Sequence, residues 1–275
     1  MSELYRKLLA LLDSEGACAV ATIVDSAGSI PNDVGAQMLV DARGELVAGT
    51  VGGGQVEFEA MKACRSAIES GEHTKYTCHL TDVESGGLGM MCGGRAEIFI
   101  QVYQPASQLV LVGAGHINLA LARIARGLNF SVTVIDDRKQ WANAENYPGC
   151  RCINLEPEQA YAEISWRDDA FLVIGNRDRD LPALRAALSL PCRYIGLVAS
   201  KRKALTIIGA LRDEGLDLEA SLERLYAPIG LDTGGATPSD IAVSIIAEVQ
   251  QIRHGRGGGH LKLSEALLKK GEKAR

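Results

Sequence analysis

The chain has 275 residues, 47% of them hydrophobic, and a formal net charge of −5. That acidic balance, with a pI near 5.6 and no basic block, argues against a nucleic-acid partner. No apolar run reaches the ~18 residues of a membrane helix, so no membrane role is expected. Seven cysteines in a chain this long do not make a disulfide framework, and a reduced, cytoplasmic protein is expected.

The first segment, MSELYRKLLALLDSEG, predicts an amphipathic helix with Leu4, Leu8, Leu11 and Leu12 on one face. Its interspersed charges are unlike the unbroken apolar core of a signal peptide. Residues 17–103 read as β-rich with one helix. ACAVATIVD, AQMLVD, GELVAGTV, TKYTCHLT and RAEIFIQVY predict strands, and in the last of these Ala96, Ile98, Ile100 and Val102 alternate as in a strand with one buried face. Between them, Gln55 to Ser70 predicts a helix. Val56, Ala60, Ala63, Cys64, Ala67 and Ile68 form its apolar stripe, and Gly71 stops it. Cys18, Cys64, Cys78 and Cys192 lie in or near apolar segments and read as small core residues. Cys150 and Cys152 form a C-x-C without a second cysteine or histidine pair at zinc-site spacing, so no metal site is assigned there.

QPASQ at 104–108 is polar and contains Pro105, which places a domain boundary at 104/105 and gives domains 1–104 and 105–275. After it the pattern turns to LVLVG, a helix, SVTVID, FLVIG, a helix from Leu181, YIGLVAS and a helix from Lys201 to Arg212. This alternation predicts a parallel sheet with helices on its faces. The expected fold class is therefore α/β, an N-terminal α+β domain followed by a C-terminal Rossmann-like domain. The tail after Arg253 is Gly-rich, then basic and helical, and reads as a mobile or packing extension.

Two glycine loops carry the chemical signal. GTVGGGQVEFEAM sets Gly52, Gly53 and Gly54 before a helix. Three glycines in a row are costly to order, so something must approach their backbone closely. The loop lacks the Lys-Ser/Thr pair of a P-loop, which excludes a nucleoside triphosphate. The second, VLVGAGHINLALA, places Gly113 and Gly115 at the first two positions of G-x-G-x-x-G, with Asn118 at the third. The helix start there offers free N–H groups and a positive dipole end to a pyrophosphate. About 20 residues on, VTVIDDR ends a strand with Asp136, where a ribose-binding acid belongs. Asp137 and Arg138 follow, and an arginine there keeps NADP(H) open beside NAD(H). His116 either meets a phosphate or a neighbouring domain, or caps the helix start.

Two further segments stand out in this half. Lys201, Arg202 and Lys203 crowd the positive end of a helix, marking either an anion site or a solvated cluster. In APIGLDTGGATPSDIAVSIIAEV, Thr237, Pro238 and Asp240 make a helix start. Gly230, Gly234 and Gly235 form the loop before it, at the carboxyl side of the sheet.

Seven ordered segments resemble the XdhC/CoxI family of xanthine dehydrogenase accessory proteins over nearly the whole chain. They are GSIPNDVGAQMLV, GTVGGGQVE, MCGGRAEIFI, VLVGAGHINLALA, VTVIDDR, YIGLVASKRK and PIGLDTGGATPSDIAVSIIAEV. The resemblance implies a protein that binds molybdenum cofactor, a molybdopterin carrying a phosphate. It implies protection of that cofactor while a cysteine desulfurase supplies sulfur, and delivery to an apo-molybdenum hydroxylase such as xanthine dehydrogenase. It also implies a homodimer. The chain departs from parts of the family at Asn32, where many members have arginine, and at Asn118. It departs again at Gln55, where the CoxI-like branch has cysteine, and this argues against a persulfide at that position.

On this reading Gly52, Gly53, Gly54 and Gln55 receive an anionic or polar part of the pterin. Cys92, in the glycine-rich loop with Gly93 and Gly94, lies near the metal end, since a thiolate suits molybdenum or transferable sulfur. The alternative for Cys92 is an inert thiol beneath a turn. Glu57 either acts on the pterin or complements the helix dipole. The competing functional classes are an NAD(P)-dependent oxidoreductase and a scaffold linking desulfurase and hydroxylase without a ligand of its own.

Overall fold

The computed structural model describes residues 3–14, 16–28, 32–79, 94–216 and 218–262. The chain divides into two compact units, Met1–Ala106 and Ser107–Arg275.

The first unit is built on β1 (Cys18–Ala27), the centre of a five-stranded antiparallel sheet. Its order is β3-β2-β1-β5-β4, with β2 Gln37–Asp41, β3 Leu46–Gly49, β4 Thr74–His79 and β5 Arg95–Tyr103. Side chains alternate across a strand, so β1 is buried on both faces. Ala19, Ala21 and Ile23 pack with Val56, Ala60 and Cys64 of α2 (Gly54–Ser70). Cys18 and Val20 pack with Leu4 and Leu8 of α1 (Glu3–Asp13), and Leu11 and Leu12 lie against the same cluster. The expected stripe of α2 is the buried one, with Ala63 at its partly buried margin. Gly71 ends the helix at φ 73° and donates its N–H to Ala67 O and Ile68 O. On β5, Ala96, Ile98, Ile100 and Val102 are all buried.

The second unit carries a six-stranded, all-parallel sheet in the order β11-β10-β9-β6-β7-β8. The strands are β6 (Ser107–Val112), β7 (Phe130–Ile135), β8 (Arg151–Ile153), β9 (Phe171–Ile174), β10 (Tyr194–Leu197) and β11 (Leu225–Tyr226). Counted within the unit this is 6-5-4-1-2-3, the order of dinucleotide-binding folds read from the other edge. Alternation on β6 sorts the core into two layers. Val110 and Val112 face Leu184 of α5 (Asp180–Ala187) and Ile207 and Leu211 of α6 (Lys201–Asp213). Leu109 and Leu111 face Leu121 of α3 (His116–Arg126) and Ile245 and Val249 of α8 (Pro238–Arg253). Two short helices, α4 (Pro157–Ala160) and α7 (Glu219–Leu222), also belong to the unit.

The fold class expected from the sequence is the one observed. The pattern did not announce β8, which lies at the sheet edge and takes up Cys152 of the C-x-C pair. Cys150 and Cys152 are half-buried against the α3–α8 layer. Burial pushes the Cys18 thiol up to about 11 and those of Cys64 and Cys192 to about 12, so these three are un-ionised packing groups at neutral pH. Among the described residues no helix is long and apolar enough to cross a membrane.

Candidate functional sites

In the first unit the glycine loop opens α2 without a side-chain cap. Gly53 is the N-cap, at φ 71°, and has no side chain to accept a capping bond. Gly52 and Gly54 also have positive φ, 127° and 56°. Among the described residues, a Cβ on Gly53 or Gly54 would meet nothing within 4 Å, so none of them fills the space above this helix start. The first N–H groups of a helix lack intrahelical partners and sit at the positive dipole end, which suits an anion or a polar acceptor. The loop itself is held from below. Thr50 Oγ1 accepts the Gly52 N–H at 3.1 Å and donates to Glu57 Oε2 at 2.5 Å. Asn32 Nδ2 donates to Thr50 O at 3.3 Å. Glu57 is thus a brace of the loop as well as an acid in the first helical turn. Gln55 is exposed and donates to Glu59 at 3.2 Å. Gly94 is buried directly before β5, while Cys92 and Gly93 lie outside the described residues.

In the second unit the β6–α3 loop is narrow for a steric reason. Gly113 has φ 95°, and a Cβ there would stand 2.5 Å from Gly175 O. The ends of β6 and β9 therefore touch through backbone alone. Gly115 and His116 are exposed at the start of α3, and a Cβ on Gly115 would meet nothing within 4 Å. Asn118 is buried behind them. Its Nδ2 donates to Val112 O at 3.0 Å and Gly113 O at 2.6 Å, which fixes the amide and leaves Oδ1 without a partner among the described residues.

Asp136, the expected ribose acid, is 1% exposed and already carries four hydrogen bonds. Oδ2 accepts from Ala114 N and an Arg138 terminal nitrogen at 2.7 and 2.8 Å. Oδ1 accepts from Arg138 N and Nε at 3.0 and 2.8 Å. Burial alone would raise this carboxyl, but the guanidinium and the two amides outweigh it and hold it below its ordinary value. Asp137 is exposed beside this pair.

A third feature joins two segments the sequence flagged separately. A cavity of about 580 Å³ lies beyond the carboxyl end of β10, between the first turn of α6, the loop after β11 and the start of α8. Its loop wall is pinned to α8. Gly230 N–H donates to Glu248 Oε2 at 2.9 Å, and Leu231 N–H donates to Ser244 O at 3.3 Å. Ser244 Oγ donates to Leu231 O. Glu248 also accepts from the Tyr194 hydroxyl at 2.5 Å and is 8% exposed. Sequence reasoning passed over Glu248. Its only signal was a lone acid within the apolar run of α8.

An antiparallel, helix-covered sheet unit with an open glycine loop, joined to a parallel sheet of dinucleotide-binding order, defines a two-unit Rossmann-bearing protein. Residues 109–249 match the family profile described as the XdhC Rossmann domain, and residues 11–80 match that of the XdhC and CoxI family. The chain belongs to the XdhC/CoxI family. It is 36% identical over 243 residues to the uncharacterized protein YqeB of Escherichia coli K12, covering 88% of this chain and 44% of that one. It is 30% identical to a Bacillus subtilis protein named as a probable xanthine dehydrogenase subunit, covering 57% of this chain and 46% of that one. The molybdenum cofactor insertion chaperone PaoD of Escherichia coli K12 is 24% identical, with 89% and 86% covered. The chain thus spans less than half the length of the first two relatives. A Bacillus halodurans structure described as a xanthine dehydrogenase shares the fold over 98% of this chain and 99% of its own, with a TM-score of 0.52 and 20% identity.

Proposed function

We propose that the protein is an accessory factor for a molybdenum hydroxylase of the xanthine dehydrogenase type. It binds molybdenum cofactor, holds it during sulfuration by a cysteine desulfurase, and delivers it to the apo-enzyme. The observation that carries this reading is the start of α2, where three glycines at positive φ leave a helix terminus without a side-chain cap and, among the described residues, uncovered. A phosphate or other anionic part of the pterin fits this cradle, because no described residue fills the space that a side chain on Gly53 or Gly54 would take and Glu57 is tied back to Thr50. Cys92 belongs to the same proposal, as a thiol near the metal end. A homodimer is its expected assembly. When bound, the molybdenum centre would supply the oxo ligand that sulfur replaces, and the residues at the start of α2 would bind and orient the pterin.

The test uses anaerobic purification from cofactor-replete cells, with molybdopterin read by pterin fluorescence and molybdenum by metal analysis. Near-stoichiometric pterin is expected, and a value near zero would sink the reading. Position 54 supplies a matched pair, because Asn and Asp both tolerate the φ of 56° found there. Gly54→Asn is expected to retain the pterin. Gly54→Asp places a negative charge at the helix start, which stabilises the helix but repels an anion. It is expected to lower occupancy about tenfold or more, ~1.4 kcal/mol. Equal occupancy in the two variants would remove the helix start from the binding site.

The strand order favours a second reading, an NAD(P)-dependent oxidoreductase. A ribose diol at Asp136 has to displace Arg138 from the carboxylate. The displaced guanidinium then suits a 2′-phosphate, so NADP(H) is the better nucleotide on this reading. Incubation with NADPH distinguishes the two readings. Hydride transfer to an acceptor by the purified protein would replace the accessory role, whereas tight binding without turnover fits a regulatory nucleotide.

A further inference from the structure

The cavity beyond β10 sits where the chain splays its helices apart. β10 leads into α6, whose Ile207 and Leu211 pack on one face of the sheet. β11 leads into α8, whose Ile245 and Val249 pack on the other. In open parallel sheets a ligand crevice forms outside the carboxyl ends of two strands whose connections leave in opposite directions. The junction of β6 and β9 is one such place, since α3 and α5 also pack on opposite faces, and there the approach of Gly113 to Gly175 O closes the strand ends together. The β10–β11 junction is a second one, and it is open.

Its lining is divided. Val198, Ile229, Leu231 and Ile241 supply apolar surface. Ser200, Lys203 and Thr233 supply polar groups. Lys203 is held at the wall by Asp180, whose carboxylate is 2% exposed. Asp180 Oδ2 accepts from Lys203 Nζ at 2.5 Å and Oδ1 from Asn176 N at 2.8 Å. Ser200 caps α6 by accepting the Lys203 N–H at 3.3 Å, and the amides of Lys201 and Arg202, earlier in that turn, have no intrahelical acceptor. Three cationic side chains at the positive end of a helix work against the dipole, and an anion at that place reverses the sign of the interaction. Asp232 borders the cavity from the loop and suits the N–H edge of a ring. A volume of about 580 Å³ is of the size that takes a small organic ligand.

We propose that this crevice binds a phosphomonoester carried on a flat heterocycle, with the phosphate at Ser200, Lys203 and the start of α6 and the ring between Val198, Ile229 and Leu231. Mononucleotides and pterin phosphates share this chemistry. The lining shares no residue with the Gly113–Gly115 loop or with the glycine loop of the first unit, and the proposal does not rest on the molybdenum-cofactor reading.

Isothermal titration of the full chain with nicotinamide mononucleotide, nicotinamide riboside, dihydroneopterin monophosphate and dihydroneopterin tests it. At least one phosphorylated probe is expected to bind at least tenfold more tightly than its phosphate-free counterpart, and which one does so identifies the ring. Lys203→Gln is expected to weaken that probe about tenfold and leave the phosphate-free compound unchanged, with Lys203→Arg retaining most of the affinity. Because Lys203→Gln leaves Asp180 without its cation, Thr233→Trp serves as a second variant. It fills the crevice from an exposed position and is expected to abolish binding with the melting temperature intact. The titrations are run in Gly54→Asp protein as well, and the binding that persists there is assigned to this site, since that substitution weakens a pterin phosphate held at the start of α2. No preference for the phosphorylated compounds, or binding in Gly54→Asp protein that survives Thr233→Trp, would overturn the proposal.

Discussion

Gly113→Ala is expected to destabilise the second unit by about 3 kcal/mol, whereas Gly115→Ala, two residues on, is expected to be close to neutral. At Gly113 two penalties coincide. A φ of 95° disfavours any L side chain, at ~1–2 kcal/mol. The new methyl would also stand 2.5 Å from Gly175 O and 2.9 Å from its carbonyl carbon, atoms of backbone that cannot rotate away. Overpacking of this kind adds about 1–3 kcal/mol. Gly115 has an extended φ of −82° and open space above it. In a thermal melt the first variant is expected to lose about 6–12 °C and the second almost nothing. Matching melting curves would mean that the β6 and β9 ends can separate at little cost, and the reading of Gly113 as a steric contact would fail.

Asp136→Asn is expected to cost about 2–3 kcal/mol at pH 7, because a buried acceptor loses its charge while three donor groups remain around it. The dependence on pH is the sharper part. The folded-state carboxyl is held below its ordinary value. Its contribution is therefore complete above the unfolded carboxylate pKa of about 3.9 and is lost as pH falls through the lower, folded value. Denaturant titrations should show the gap between wild type and variant at its widest near neutrality and shrinking in acid below about pH 4. A gap that is the same at pH 7 and pH 3 would show that Asp136 acts through shape alone. The same variant frees Arg138, so nucleotide titrations on it report whether the guanidinium and a ribose compete.

Local signals made much of this structure legible. Alternation at Ala96, Ile98, Ile100 and Val102 gave β5 its face, because period two is the geometry of a strand. The stripe from Val56 to Ile68 and the stop at Gly71 gave α2, because both are set within a few residues. Thr237 and Asp240 form the expected reciprocal cap, at 3.2 and 3.1 Å. Non-local signals were hidden. β8 is three residues long and exists because β7 offers it an edge, which no short window reveals. Asp136 was visible as an acid at a strand end, but its saturation by Arg138 and Ala114 depends on how the turn folds back. The crevice was legible only in halves. The cationic start of α6 and the glycine loop before α8 are about thirty residues apart, and the parallel pairing of β10 with β11 brings them together. Glu248 was hidden for the same reason, since its partners Tyr194 and Gly230 are far from it in sequence.

The position of β1 has a consequence for measurement. It is paired on both edges and covered by a helix on each face, so water has no local route to its amides. Those of Ala19, Val20 and Ala21 should exchange hydrogen only when the whole first unit opens. Their exchange rate is thus a built-in gauge of that unit's global stability. Read in the Gly54 variants, it separates a lost ligand from a lost fold within one experiment and without a ligand present.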